Sequence, residues 1–327
     1  MLPALLLTAG LGTRLRPLSS VRAKPAVPVA GEPLVCRILR WLASQEVRDA
    51  VLNLHHLPET ICAAVGDGTG LGLRVRYSWE NPVLGSAGGP RRALPLVSSG
   101  RFLIVNGDTL TDLRLSGLIA RHDRWGALVT LAVVPNAEPD RYGGVLVDGD
   151  GVVTGFVGRG SRTPSWHFIG VQVAESRAFA ALADGEPAES FTGCYPALMR
   201  ATPGSVRAVA VDAAFADIGT PADYLSTSLA LAGAAAAQRV VAGSPLAGAR
   251  LHAPHSARID RSVLWDDVTV GDGARLSECI VADTVGIPAG VRWTRRAIVP
   301  AGCGPAAPGD ERIGDLLLAP IDRVKPS

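Results

Sequence analysis

The stretch "ALLLTAGLGTRLRPL" (4–18) constrains the fold more than any other part of the chain. Its opening run, "ALLLTAG" (4–10), is apolar enough to read as a strand buried on both faces of a parallel sheet. Gly10 and Gly12 then break the run, and Arg14, Arg16 and Pro17 follow at once. A buried strand ending in glycines and cations predicts an α/β domain whose first strand feeds a phosphate-binding loop. The other reading of an apolar start, a secretion signal, is disfavoured because nothing basic precedes the run and it breaks at glycines followed at once by arginines and a proline. Up to residue 40 the only acid is Glu32, against Arg14, Arg16, Arg22, Lys24, Arg37 and Arg40. That imbalance favours an anionic ligand at this end of the molecule.

The segments that follow alternate in type. "PLVCRILRWLASQ" (33–45) has helical spacing with Pro33 in its first turn, and "DAVLNL" (49–54) is a strand. "PETICAAV" (58–65) is a helix, "LRVRYSW" (73–79) a strand, and "RFLIVNGD" (101–108) a buried strand with a polar tip. This order predicts a right-handed α/β domain with a mixed, mostly parallel sheet, its ligands outside the carboxyl ends of the strands. From 142 the pattern becomes a hairpin, "YGGVLVDGDGVVTGFV" (142–157), with a Gly/Asp turn in place of a calcium loop. A strand "WHFIGVQVA" (166–174) and a long helix "PADYLSTSLALAGAAAA" (221–237) close the domain.

Beyond 237 the chain repeats itself. "LHAPHSARID" (251–260), "VTVGDGARLS" (268–277) and "VGIPAGVRWT" (285–294) start 17 residues apart, 268 − 251 and 285 − 268. At that shift Ala253, Val270 and Ile287 align, as do Ala257, Ala274 and Val291, and Ile259, Leu276 and Trp293. Short strands at a fixed period predict coils of a parallel β-helix, and the hexapeptide grain resembles the left-handed kind. The expected boundaries are a catalytic domain over 1–236, the β-helix over 237–304 and a tail over 305–327 in which no motif is legible.

Composition excludes several classes. No stretch of the 327 residues approaches the ~20 apolar residues of a membrane-spanning helix. The net charge of +2 argues against general nucleic-acid binding. Cys36, Cys62, Cys194, Cys279 and Cys303 show no paired spacing, which predicts reduced thiols in a cytoplasmic protein.

The loop "AGLGTRLRPL" (9–18) with "KPAVPVAG" (24–31) is neither a dinucleotide fingerprint, since Leu15 replaces the third glycine, nor a P-loop, since no GK[ST] closes it. Its glycines let backbone approach a nucleotide, Arg14 offers a forked donor and Lys24 a point charge. This pair of segments resembles the signature of the sugar-1-phosphate nucleotidylyltransferases, the nucleotide-sugar pyrophosphorylases. The resemblance implies Arg14 and Lys24 as catalytic residues and Ala9, Gly10, Leu11, Gly12 and Thr13 as nucleotide contacts. "VNGD" (105–108) matches the family's metal strand, which implies that Asn106 and Gly107 bind substrate and Asp108 binds Mg²⁺. "ADIGTPADY" (216–224) resembles the second metal segment and implies Asp217 beside Asp108. "LGSAGGPRRAL" (84–94) resembles the family's base-binding helix start, which implies Gly85, Ser86 and Gly88. Tyr142–Gly143 and Phe168–Gly170 match the strands of the sugar pocket, implying Gly143 and Gly170.

One departure stands out. Where the family carries Glu-Lys-Pro after the strand ending in "GFV", this chain has Gly158, Arg159 and Gly160. Arg159 can still clamp a phosphate, but the sugar-binding carboxylate is gone. Ile169 likewise replaces a residue that is often polar or small. The whole most resembles mannose-1-phosphate guanylyltransferase-type enzymes, while residues 51–80 also resemble N-acetylmuramate 1-phosphate uridylyltransferases. GTP and UTP both stay open. His55 and His56 read as a polar loop. Three coils, opened by His252 and His255, are too few for an acyltransferase site between subunits, so the tail is expected to be a cap or a surface through which copies assemble. The implied reaction joins a nucleoside triphosphate and a sugar 1-phosphate. A non-catalytic nucleotide-sugar-binding subunit is the rival.

Overall fold

Strand Ala4–Leu7 is flanked on both sides by parallel neighbours, Asp49–Leu54 and Arg101–Asn106, and Asp49–Leu54 pairs in parallel with Arg74–Trp79. Ala4, Leu5 and Leu6 have no solvent exposure, the result the unbroken apolar run demanded. These strands belong to a computed structural model that describes residues 2–322. The chain divides into two compact units. Of the described residues, the first holds 2–10, 37–58 and 65–216, and the second holds 11–36, 59–64 and 217–322.

The first unit is built on a nine-stranded sheet. Its parallel half continues into an antiparallel half through the long strand Trp166–Glu175, which runs against Arg101–Asn106 on one side and Val129–Pro135 on the other. Val206–Ala210 lies parallel to Val129–Pro135, and the hairpin Gly144–Val147/Val153–Val157 completes the sheet. The hairpin's "DGDG" run is a turn. Asp148 accepts the backbone N–H of Asp150 at 3.0 Å and of Val152 at 2.8 Å, so its carboxylate is committed to the loop itself. Phe102, Ile104, Val129, Leu131, Val133 and Phe179 fill the core beneath.

In the second unit the 17-residue period becomes hydrogen-bonded register. Arg258–Asp260 pairs with Arg275–Ser277 and that with Arg292–Thr294, while Val263–Leu264 pairs with Ile280–Val281 and that with Ala297–Ile298, all in parallel. Three stacked faces of short parallel strands make the coils of a β-helix. Inward-facing Val270, Ala274, Leu276, Ile280 and Ile287 are buried, whereas Ala253 in the first coil is exposed.

Three sequence readings are revised. The helix expected over 221–237 breaks at Gly233, whose φ of 83° and ψ of 159° are not helical, into Pro221–Ala232 and Ala234–Gln238. Pro33 belongs to a two-residue strand against Pro28–Val29, and the helix starts at Leu34. The tail, unreadable as sequence, forms a hairpin of Glu311–Ile313 and Leu316–Pro320 that pairs antiparallel with Arg296–Pro300 and closes the last coil. Residues 323–327 of the expected tail lie outside the described residues.

Candidate functional site

Within the first unit the carboxyl edge of the parallel strands is wired by one buried network. Thr8, just past strand Ala4–Leu7, donates its N–H to Asn53 Oδ1 at 2.6 Å, and the Ala9 N–H reaches the same oxygen at 3.3 Å. Asn53 Nδ2 donates to Glu80 Oε1 at 2.7 Å, and Glu80 Oε2 accepts the Leu84 N–H at 2.8 Å. Asn53 is 3% exposed and Glu80 4%. Three strand ends and the start of helix Gly85–Val97 are thereby fixed to one another. The network leaves no room beside it: a Cβ on Gly89 would stand 2.7 Å from Glu80 Oε1 and 2.8 Å from Asn53 Nδ2. Sequence reasoning passed over Asn53, Glu80 and Gly89. The available signals were an asparagine inside an apolar strand and a second glycine after "GSA". His55 Nδ1 lies 3.0 Å from the Glu80 carbonyl, in keeping with a loop role.

On the other side of the first strand, Asn106 pairs with Leu7, and the Gly107 N–H donates to the Leu7 carbonyl at 3.0 Å. A Cβ on Gly107 would lie 2.6 Å from that oxygen, so only glycine lets the chain turn here and present Asp108, half-buried, at the strand end. Gly170, with φ of +80°, sits in a bulge of its strand and approaches Asn106 and Thr109, at 3.1 Å from each for an added Cβ. Ala9, Asn106, Gly107, Asp108 and Gly170 are therefore gathered at one edge. Gly143 and Arg159 lie at the hairpin. Gly143 precedes Gly144, the partner of Val157, and Arg159 is exposed two residues past Val157. Gly158 is exposed and Ile169 is buried.

The structure gives Gly85, Ser86 and Gly88 a packing partner within the protein. Gly85 has φ of +75°, and an added Cβ would stand 2.6 Å from Glu189 Oε1. One on Gly88 would stand 2.6 Å from the Glu186 carbonyl. The Ser86 hydroxyl donates to Glu189 Oε2 at 2.6 Å and accepts the Ser190 N–H at 2.8 Å. The small residues thus admit segment 186–190 against the helix start, with Glu189 a residue the sequence reading missed.

Beside the hairpin, the Tyr142 and His167 rings stack with centroids 4.0 Å apart, and Phe215 packs 4.9 Å from His167. Burial, helped by the charge of Arg141 and opposed by a hydrogen bond with the Gly143 backbone, pushes the His167 pKa down to about 4. The unfolded chain, with its ordinary histidine near 6.5, takes up this proton first as pH falls. The stabilisation is fully present above 6.5 and is lost between about 6.5 and 4. Thermal melts at pH 7 and pH 4.5 should show a smaller acid-induced loss of Tm in His167→Phe than in wild type. Equal losses would mean that His167 is not held neutral by the fold.

In the second unit the loop that carries the two expected catalytic cations is tightly shaped. Gly12 takes a left-handed φ of +60° at the start of the 3₁₀ turn Thr13–Leu15, and its carbonyl accepts the Leu15 N–H at 2.9 Å and the Ser19 hydroxyl at 2.8 Å. A Cβ on Gly12 would stand 3.0 Å from Ser19 Cβ and 3.1 Å from Lys24 Cβ. Lys24 is only 8% exposed, whereas Leu11, Thr13 and Arg14 are exposed. Asp217, half-buried, ends strand Phe215–Asp217 and leads into helix Pro221–Ala232. That helix begins with a capping box, Thr220 Oγ1 accepting the Asp223 N–H at 3.2 Å and Asp223 Oδ2 accepting the Thr220 N–H at 2.9 Å. The Arg14 guanidinium lodges at this cap. A Cβ on Gly219 would lie 2.9 Å from Arg14 Nη1 and 3.2 Å from Asp223 Oδ2. Gly219, in "DIGT", is the second-unit residue that sequence reasoning overlooked.

Residues 3–233 match the family described as Nucleotidyl transferase, and residues 222–293 match GlmU-like, C-terminal hexapeptide. Over 299 residues the chain is 29% identical to mannose-1-phosphate guanylyltransferase of Mycobacterium tuberculosis, covering 88% of this chain and 81% of that protein. It is 31% identical over 224 residues to D-glycero-alpha-D-manno-heptose 1-phosphate guanylyltransferase of Aneurinibacillus thermoaerophilus, covering 68% of this chain and 94% of that one. The crystal structure of HddC from Yersinia pseudotuberculosis complexed with GMP-PN shares the fold, with a TM-score of 0.61 at 24% identity over 70% of this chain and 98% of that one. From its buried first strand through the capped helix that seats Arg14, the chain belongs to the nucleotidyl transferase family, with hexapeptide repeats at its carboxyl side.

Proposed function

We propose that the protein transfers a nucleotidyl group from a nucleoside triphosphate to a sugar 1-phosphate, giving a nucleotide-sugar and pyrophosphate. We further assign it guanylyl transfer to a mannose-1-phosphate-type acceptor. The observation that carries the reading is the seat of Arg14 against Gly219, which joins two signature segments far apart in sequence. The finer assignment is supported by the guanylyltransferase names of two relatives. Uridylyl transfer to an N-acetylmuramate-type acceptor is the alternative that residues 51–80 suggest.

The reaction is an in-line attack of a sugar 1-phosphate oxygen on the α-phosphorus, with pyrophosphate leaving. Positioning and charge neutralisation supply most of the rate. In this reading the glycine-rich loop binds the phosphates through backbone N–H groups, with Gly12 left-handed so that the turn can form. Arg14 holds the departing pyrophosphate with its fork of donors. Lys24, nearly buried, steadies the charge that builds between the two substrates. The resemblance assigns Gly143 and Gly170 to the sugar and Arg159 to the sugar phosphate, whereas Gly85, Ser86 and Gly88, assigned by it to the base, are packed against segment 186–190 and would act on the base by shaping that helix start.

Asp108 in the first unit and Asp217 in the second are each a half-buried carboxyl group at a strand end, and each by itself is the hard oxygen donor that Mg²⁺ would take. Among the described residues no cluster of three or more His, Cys, Asp or Glu could hold a metal. A cation on one or two carboxylates that completes its shell with substrate phosphates is ordinary Mg²⁺ chemistry. When bound, it neutralises charge on the phosphates. No described helix is long and apolar enough to cross a membrane.

Pyrophosphate release from a matrix of nucleoside triphosphates and sugar 1-phosphates with Mg²⁺ tests the proposal. One base and one sugar should give turnover, and Asp108→Ala should lower it by at least about a hundredfold. Silence across the matrix, with nucleotide-sugars still binding, would instead identify a regulatory subunit, the outcome that the glycine at 158 favours.

A further inference from the structure

Arg22 stands between Arg14 and Lys24 in sequence, and its side chain belongs to the β-helix. Its Nε donates to Asp283 Oδ2 and its Nη2 to Asp283 Oδ1, both at 2.7 Å, and Nη2 also reaches Asp266 Oδ2 at 2.6 Å. Asp266 and Asp283 are one repeat apart, 283 − 266 = 17, so the coils stack the two carboxylates on one face. The coil backbone aims them: Asp283 Oδ1 accepts the Asp266 N–H at 3.0 Å, and Asp266 Oδ1 accepts the Ala249 N–H at 2.6 Å. The guanidinium also covers the ring of buried Trp265 at 5.5 Å.

Further ties hold the same loop. Trp265 Nε1 donates to the Tyr224 hydroxyl at 2.9 Å, and that hydroxyl donates to the Pro28 carbonyl. The Ala23 N–H donates to Thr60 Oγ1 at 3.1 Å. Lys24 is thus bracketed by anchors at residues 22, 23 and 28, two of which lead to the first two full coils.

We infer that the β-helix is a positioning clamp for the nucleotide loop, with Arg22 a positioning residue that acts through Lys24 and Arg14 and touches no substrate. The β-helix then serves the reaction by holding the loop that carries Arg14 and Lys24. Bidentate, coplanar pairing is what arginine offers and lysine does not, so the clamp sets orientation as well as distance. The inference rests on the nucleotidyl-transfer reading for its kinetic consequence alone.

Asp283→Asn and Arg22→Lys test it in the full chain. The control is Asp267→Asn, which removes the exposed pair with Arg250 in the same coil. Amide hydrogen exchange over residues 13–24 should quicken by about tenfold or more in both test variants and stay unchanged in the control. With the preferred substrates kcat should fall about ten- to a hundredfold while KM for the sugar 1-phosphate moves less than about twofold. The double variant should be no worse than the worse single one, because the two residues form one unit. Unchanged exchange in a folded variant overturns the clamp, as does faster exchange with undiminished kcat. If Asp283→Asn does not fold, Arg22→Lys decides. A wild-type protein without turnover defeats the functional reading instead, and the exchange measurement still judges the clamp.

Discussion

Gly219→Ala is expected to lower kcat by about a hundredfold while Tm barely moves. The added Cβ would stand 2.9 Å from Arg14 Nη1, closer than carbon tolerates, and a tight 3.3 Å from its Cζ. Gly219 is not among the residues with positive φ, so alanine meets no backbone penalty. What must give way is the far end of a long, flexible side chain, and that costs the fold less than about 1 kcal/mol. The guanidinium shifts by roughly an ångström, enough to spoil a phosphate contact that a transition state needs in register. Steady-state kinetics beside a thermal melt separates the two effects. Undiminished kcat would show that the seat of Arg14 at the helix cap is not its working position.

Asn53→Leu should destabilise the protein by about 2–4 kcal/mol, the cost of leaving buried polar groups without partners. The change strands three groups at once: the Thr8 N–H, the Ala9 N–H and Glu80 Oε1. It also frees the end of the first strand from its neighbours, so turnover should fall with stability. Glu80→Leu breaks the same Asn53–Glu80 bond and also strands the Leu84 N–H, so the loss in Asn53→Leu/Glu80→Leu should be smaller than the sum of the two single losses, a coupling that a double-mutant cycle in denaturant would measure. A single substitution costing less than about 1 kcal/mol would mean that the network is not what holds these strand ends.

How far the sequence could be read depended on how local the physics was. Asp49–Leu54 and Pro58–Val65 matched their expected spans residue for residue, because an apolar run and a Pro-Glu helix start are written in consecutive residues. The repeat was legible because a fixed period of apolar positions is itself the register of the coils. The closing hairpin escaped because "DLLLAP" has no periodicity of its own. Leu316, Leu317 and Leu318 are buried only because Arg296–Pro300 offers them an open edge. The break at Gly233 was signalled by a glycine that an otherwise helical stretch concealed.

The sequence by itself determined the α/β sheet, the β-helix, the glycine-and-cation loop and the residue types that phosphate chemistry requires, since each follows from spacing within a short window. Only the tertiary structure decided how those residues are held. Arg22 and Asp283 are 261 positions apart, Asn53 and Glu80 27 apart, and Arg14 meets Gly219 at the cap of a distant helix. Such pairings have no local signature, because a buried carboxylate or a glycine looks the same in sequence whatever later comes to rest against it.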